Sequence, residues 1–203
     1  MRKTVYLMFA LILSLGSVCA GCRNSYSEVE SQSIVEESEK ELQLLQASWS
    51  TNYGTLENIV NESDVIALIE VTGIESVSNL NSGVPMTVFN STVSNGILGT
   101  SYGQELRILQ TGGETDTHII EFEDDPLLET GEKYLIFAKN NGDGTVRILG
   151  GPQGRLVYEN EQFTSLDLAN ARMRSTGVDT LSLNISNKDA QSLYDEIEMY
   201  LNN

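Results

Sequence analysis

The 203-residue chain is poor in the residues on which disulfide frameworks and metal centres depend. Its two cysteines, Cys19 and Cys22, lie near the N-terminus, so the rest of the chain can hold neither a disulfide scaffold nor a thiolate metal cluster. His118 is the only histidine, which excludes zinc sites built on several imidazoles and most histidine-based catalytic designs. Lysine and arginine number 12 against 29 acidic residues, for a formal charge of −17. Because such a surface repels phosphate, we expect no nucleic-acid partner.

The N-terminus has the pattern of a secretory signal peptide. Arg2 and Lys3 form a short basic region, and residues 4–22 carry no charge. Serine and glycine interrupt the apolar run after Leu13, which leaves it shorter than the roughly 20 residues that a membrane-spanning helix needs. We therefore expect residues 1–21 to direct secretion and to be removed from the mature chain.

This segment ends in Cys19-Ala20-Gly21-Cys22, in which small residues directly precede a cysteine. It resembles the lipobox of bacterial lipoproteins, although Cys19 stands where that family usually has leucine. The resemblance implies that Cys22 is the first mature residue and carries diacylglycerol and palmitate. It therefore implies a protein that is lipid-anchored on the extracytoplasmic face of the cell membrane. The alternative is a secreted protein in which Cys22 is a free thiol.

Residues 22–50 are polar and acidic, which is typical of a solvated tether. We expect this tether to contain a loose helix over residues 34–47. The folded domain is then expected over residues 51–203. Hydrophobic residues make up 40% of the chain, which is enough for this domain to bury a core.

The domain contains apolar runs of strand length that are separated by turn residues, with no helical pattern between them. They cover residues 65–71, 86–93, 105–110, 117–122, 133–139, 146–149 and 155–159. Gly73 is expected to end the first run. Asn141-Gly142 and Asp143-Gly144 separate two of the runs and predict a β-hairpin between them. Runs at this spacing favour an antiparallel barrel or sandwich over β-α-β units.

Helical spacing is found at both ends of the domain. Thr55 can cap a short helix that begins at Leu56. Near the C-terminus, Ser186 and Asp189 form a capping-box arrangement ahead of an amphipathic helix. The apolar positions of that helix are Ala190, Leu193, Tyr194, Ile197, Tyr200 and Leu201.

Three segments resemble known proteins: Ser-Asp-Val-Ile-Ala at 63–67, Gly-Glu-Lys-Tyr-Leu-Ile-Phe at 131–137 and Gly-Gly-Pro-Gln-Gly at 150–154. On these segments, residues 63–158 resemble a group of uncharacterised bacterial proteins that are secreted or lipid-anchored. That group is similar in strand pattern to the OB-type barrels of netrin-like and metalloproteinase-inhibitor modules. The disulfides of those modules are missing here, so no inhibitory edge is implied. The expected fold is mainly β: an antiparallel OB-like barrel with a short N-terminal helix and a C-terminal amphipathic helix.

One enzyme motif is present in the domain. Residues 99–103 match G-x-S-x-G with Ser101 at the centre, and Asp116 and His118 follow in the order of a nucleophile elbow. That motif requires a strained turn between a strand and a helix, whereas residues 105–110 have the pattern of a strand. We therefore interpret the motif as a hairpin turn and expect no catalytic residue.

Acidic side chains cluster at Glu121, Glu123, Asp124 and Asp125. Such hard oxygen ligands suit calcium, so these four residues are calcium candidates, and a solvated acidic surface is the alternative. A second, thinner set of oxygens lies in the hairpin turn: Asn141, Asp143 and Thr145. Neither set completes a calcium-binding loop, so we expect no cofactor and assign no metal.

These features favour a noncatalytic role for the domain. We expect an extracytoplasmic binding module that contacts the membrane through the lipid at Cys22 and binds a protein, a peptide or another envelope component. The alternatives are a small envelope hydrolase that uses paired carboxylates and a structural adaptor subunit of a membrane complex.

Overall fold

The computed structural model describes residues 40–79, 83–166 and 188–203. The predicted signal peptide, Cys22, Ser186 and most of the predicted tether lie outside these residues. Within them the secondary structure begins at residue 41 and ends at residue 201. The strands are β1 (Glu41–Leu45), β2 (Val65–Asn79), β3 (Pro85–Leu98), β4 (Glu105–Thr111), β5 (Gly113–Glu114), β6 (His118–Phe122), β7 (Lys133–Asn140), β8 (Val146–Ile148), β9 (Arg155–Glu159) and β10 (Gln162–Ser165). The helices are α1 (Leu56–Glu62), α2 (Ala190–Leu201) and a 3-10 helix (Gly151–Gly154).

Five strands close into a barrel in the order β7-β2-β3-β4-β8, because β8 pairs with both β4 and β7. β9 and β10 extend the sheet beyond β7. The prediction of a β-barrel is confirmed, and a closed barrel of five strands is compatible with an OB-like fold. The prediction of a purely antiparallel barrel is wrong, because the β4–β8 pair that closes the barrel is parallel.

Successive side chains of the central strands point to opposite faces of the sheet, so the core consists of two layers. Ala67 and Ile69 of β2 belong to a cluster that also contains Phe89 of β3, Ile108 of β4 and Val146 of β8, so this cluster fills the barrel interior. The intervening residues of β2 and β7 face the other side, where they pack with α1, α2, β9 and β10. Because both faces of these strands are covered, they form continuous apolar runs in the sequence.

Both α-helices begin at a side-chain cap. The hydroxyl of Thr55 accepts a hydrogen bond from the backbone N of Asn58 at 3.2 Å, at the start of α1. A carboxylate oxygen of Asp189 accepts one from the backbone N of Ser192 at 3.0 Å, at the start of α2. The predicted C-terminal amphipathic helix is confirmed, and it buries Leu193 in the outer layer of the core. The predicted capping box is wrong, because Asp189 is itself the N-cap and not the third residue of the first turn.

Two local predictions differ from the structure. The loose helix predicted over residues 34–47 is wrong at Glu41–Leu45, which form strand β1 against β6. Pairing with β6 satisfies the backbone groups on one edge of β1 and outweighs its helical propensity. Gly73 does not end β2, because the strand continues to Asn79 with a shift in register between Val71 and Gly73. A bulge at a glycine bends the strand without ending it.

Candidate functional site

A second, three-stranded sheet has the order β1-β6-β5. β1 runs parallel to β6, with Leu42 opposite Ile119 and Leu44 opposite Glu121. Residues that lie opposite each other in neighbouring strands share a face of the sheet, so Leu42, Leu44 and Ile119 lie on the same face, together with the partly buried Glu121. Leu42 and Leu44 are 52% and 53% exposed. This face therefore presents an apolar strip to solvent.

The outer edge of β1 is open within the described ranges. Among the residues that the structure describes, no strand pairs with this edge. At the start of the strand, Lys40 Nζ donates to the carbonyl of Thr115 at 2.7 Å and forms an ion pair with Glu114 at 2.7 Å. These contacts reach across β6 to the β5 side and fix the end of β1. The alternation of Leu42 and Leu44 is the sequence signal for this strand. It is weak because the surrounding segment is polar and acidic, which is typical of a tether.

Residues 49–53, which we call the strap, follow β1 and contact the 3-10 helix. Trp49 Nε1 donates to Asp124 Oδ2 at 2.6 Å. The indole ring of Trp49 lies directly over Gly151, where a Cβ atom would overlap the ring. Gly151 also has a φ of +57°, in the left-handed region that favours glycine. The contact between the strap and the 3-10 helix therefore requires glycine at position 151.

Each of the four carboxylates considered for calcium has different surroundings. Asp125 is buried, and its Oδ1 accepts from Arg155 Nη2 at 3.0 Å. Asp124 binds the strap, Glu121 is partly buried and Glu123 is exposed. Within the described ranges, no three acidic, histidine or cysteine side chains are grouped so that they could hold a metal ion. The structure thus gives Asp124 and Asp125 separate protein partners.

The oxygens of the second set are used within the hairpin turn itself. Asp143 Oδ1 accepts from the backbone N of Thr145 at 2.9 Å and from its hydroxyl at 2.6 Å. Asn141 Nδ2 donates to Thr145 Oγ1 at 2.9 Å, and Asn141 Oδ1 accepts from Arg147 at 2.9 Å. The hydrogen bonds to Thr145 lower the pKa of Asp143. These side chains stabilise the predicted β7–β8 hairpin, which the antiparallel pairing of the two strands confirms.

Arg155 forms a buried charged centre between β9 and the loop after β6. Its side chain is 1% exposed, and Nη2 donates to Asp125 Oδ1 at 3.0 Å and to the carbonyl of Pro126 at 2.7 Å. The guanidinium carbon lies 5.3 Å from the ring centroid of Tyr134. Nε and Nη1 have no hydrogen-bond partner in the described part of the chain. Burial raises the pKa of Asp125, which the charge of Arg155 opposes, and burial likewise raises the pKa of Glu121.

The G-x-S-x-G segment lies in a turn between two antiparallel strands. Residues 99–103 join β3 to β4, so no helix follows the serine. The ring nitrogens of His118 lie 2.7 Å from Thr117 Oγ1 and 3.7 Å from Glu41, and within the described chain no hydrogen bond joins this ring to Ser101. The geometry that a nucleophile elbow needs is therefore not built from these residues.

The chain matches no family model, no curated protein and no solved structure. Of the helices in the described ranges, none combines the length and the apolar character needed to cross a membrane. On α2, Met199 is 50% exposed. A single exposed methionine is ordinary for a soluble surface and does not form an apolar patch.

Proposed function

We propose that the protein is a noncatalytic binding module, lipid-anchored at Cys22 on the extracytoplasmic face of the cell membrane, that binds an extended segment of another envelope protein. The observation that supports this most directly is the open edge of β1 with its exposed Leu42 and Leu44. An extended segment can add to such an edge as a further strand, in which backbone hydrogen bonds supply affinity and alternate side chains supply specificity.

The edge of β1 lacks the devices that usually protect a sheet edge. Strand edges are commonly blocked by proline, by a bulge or by charges that point inward. Glu41–Leu45 contains no proline, pairs with β6 without a register shift and carries a single charge, on Glu41. The exposed Leu42 and Leu44 add an apolar contact for alternate residues of an incoming strand. Such an edge is suited to binding.

Charge favours a particular class of partner. The chain carries a formal charge of −17, and the β1-β6-β5 sheet contains the exposed carboxylate of Glu41. The ion pair of Lys40 with Glu114 offsets these two charges and leaves that of Glu41. Opposite charge speeds association and disfavours acidic competitors. The preferred partner is therefore an extended segment in which apolar residues alternate with lysine or arginine.

The proposed anchor keeps this edge close to the membrane. The chain between Cys22 and Lys40 can span at most about 60 Å when fully extended. Among the described strands, β1 is the nearest to Cys22 in the sequence, and a partner in the envelope lies within range. Acylation supplies the membrane affinity, since an acidic surface is repelled by anionic lipid.

Site-specific photo-cross-linking in living cells tests this proposal. A photoreactive residue at Gln43, which is exposed on β1 between the two leucines, should capture one dominant protein, whereas the same residue at Met199 on α2 should not. Leu42→Lys with Leu44→Lys should abolish that cross-link and leave the thermal unfolding temperature nearly unchanged, because both side chains are exposed. A cross-link that survives the double variant, or that forms equally from Met199, would refute the proposed edge. Retention of Cys22→Ala in the membrane fraction would refute the anchor.

A further inference from the structure

A polar cleft of about 430 Å³ lies between the strap and the exposed face of α1. This volume lies within the range of small-molecule sites, about 300–1,000 Å³. The cleft shares no residue with the edge of β1. Its lining residues are Thr51, Asn52, Tyr53, Asn58, Asn61 and Glu62.

The strap side of the cleft is held by buried and capping groups. The buried Gln153 accepts from the backbone N of Tyr53 at 2.9 Å and donates to the carbonyl of Thr51 at 3.2 Å. Asn58 Nδ2 donates to the carbonyl of Tyr53 at 2.7 Å, which ties the strap to α1. The ring of Tyr53 lies against Gly150, so close that a Cβ atom there would be 3.1 Å from it. The strap wall of the cleft is thus fixed before any ligand binds, which lowers the entropic cost of binding.

Several polar groups of the cleft remain available. In the described part of the chain, the side chain of Asn61 makes no hydrogen bond, Asn58 Oδ1 accepts none and Asn52 Nδ2 donates none. A carboxamide presents an acceptor and two donors side by side. Neighbouring hydroxyl groups, each of which donates and accepts, match this arrangement. The ring of Tyr53 adds a flat apolar surface beside them.

Charge and polarity exclude other ligand classes. Among the described residues, none that lines the cleft is cationic, Glu62 is acidic and the chain as a whole is strongly negative, so phosphates and acidic sugars are disfavoured. At Tyr53 the charge of Glu62 outweighs that of Arg147. No aliphatic side chain of the described residues lines the cleft, so an acyl chain would gain little by entering it. Glu62 already lies 3.7 Å from Lys139, which weakens its attraction for a cationic ligand. We propose that this cleft binds a neutral polyhydroxylated ligand, a sugar unit of an envelope glycan.

Isothermal titration calorimetry offers a direct titration, because it does not depend on a reporter in the cleft, and the single tryptophan, Trp49, lies over Gly151 and is not a lining residue. The full-length protein in detergent is titrated with chitotriose and with maltotriose, up to about 50 mM. A polar, open cleft should give saturable binding with a Kd on the order of 1 mM. Asn61→Ala should weaken binding at least tenfold, whereas Asn203→Ala, which removes an exposed amide outside the cleft, should leave it unchanged.

Three outcomes would overturn the proposal. In the first, neither oligosaccharide gives a saturable response. In the second, the Asn61→Ala variant binds the oligosaccharides with the affinity of the unaltered protein. In the third, the protein binds tetramethylammonium and no sugar, and Glu62→Gln abolishes the binding of tetramethylammonium. The Leu42→Lys, Leu44→Lys variant should titrate like the unaltered protein. A failure of the β1 edge and a failure of the cleft are therefore distinguishable.

Discussion

The buried pair of Asp125 and Arg155 allows a quantitative prediction about what holds the barrel to the loop after β6. Asp125→Ala leaves the guanidinium of Arg155 buried without its carboxylate partner, and arginine cannot lose its proton to escape this cost. Removal of one member of a buried ion pair typically costs about 3–5 kcal/mol of unfolding free energy. Because Nη2 of Arg155 keeps the carbonyl of Pro126 and the Tyr134 ring remains beneath it, we expect the lower end, about 3 kcal/mol.

The opposite variant should behave differently with pH. Arg155→Met leaves Asp125 buried, and burial raises the pKa of that carboxyl above its unfolded value. The penalty of this variant therefore appears as the pH rises through the folded-state pKa, and it shrinks as the pH falls, because the carboxyl can take up a proton. Asp125→Ala should cost at least as much at pH 5 as at pH 7, because the raised pKa of this carboxyl stabilises the unaltered protein as the pH falls, whereas Arg155→Met should cost less at pH 5.

Urea denaturation followed by Trp49 fluorescence measures both effects. With an m-value of about 2 kcal/mol/M, a loss of about 3 kcal/mol lowers the midpoint by about 1.5 M. The double variant Asp125→Ala, Arg155→Met should be more stable than the sum of the single losses implies, by roughly 2 kcal/mol, because neither charge is then left alone. Additive losses, or an Asp125→Ala shift below about 0.5 M, would refute the reasoning.

Three further predictions concern single residues. Gly151→Ala should destabilise the fold by about 1–3 kcal/mol and shift the Trp49 emission to the red, because the new methyl group displaces the indole ring. Gly142→Ala has open space around it, so it should cost only about 1 kcal/mol and leave the Trp49 emission unchanged. Glu121→Gln should be more stable than the unaltered protein at pH 7 by less than about 1 kcal/mol, and the two melting curves should converge below pH 4, since burial raises the pKa of Glu121 and its ionisation opposes folding. Leu193→Ala should cost about 2–5 kcal/mol in urea denaturation, because this side chain is fully buried.

Local chemistry in the sequence predicts the β7–β8 hairpin and the C-terminal helix, because turn residues and apolar spacing act over a few positions. The parallel β4–β8 pair that closes the barrel could not be predicted in this way, since it depends on where two distant segments meet. β1 is ambiguous for a physical reason. Glu41–Leu45 offers Leu42 and Leu45 at helical spacing and Leu42 and Leu44 at strand spacing, and only the presence of β6 decides between them.

The candidate sites depend still more on tertiary structure. The acidic pattern after β6 suggests one cluster of ligands, yet Asp124 is paired with Trp49 and Asp125 with Arg155, which lie far from them in the chain. The cleft beside α1 depends on the buried Gln153, whose contacts with the strap span about half the chain. Such pairings follow from the course of the backbone, which no local pattern encodes.

The parallel pairing of β1 with β6 has a mechanical consequence. A pull on the chain ahead of Lys40, directed along the strand, loads the bonds between β1 and β6 in shear, so that they resist together rather than one after another. If these hydrogen bonds break, the force next acts on the contact of Trp49 with Gly151 and on the hydrogen bonds between Gln153 and the strap, before it reaches α1 and the barrel. β1 and the strap thus bear a force on the N-terminal segment one after the other, before that force reaches the folded core.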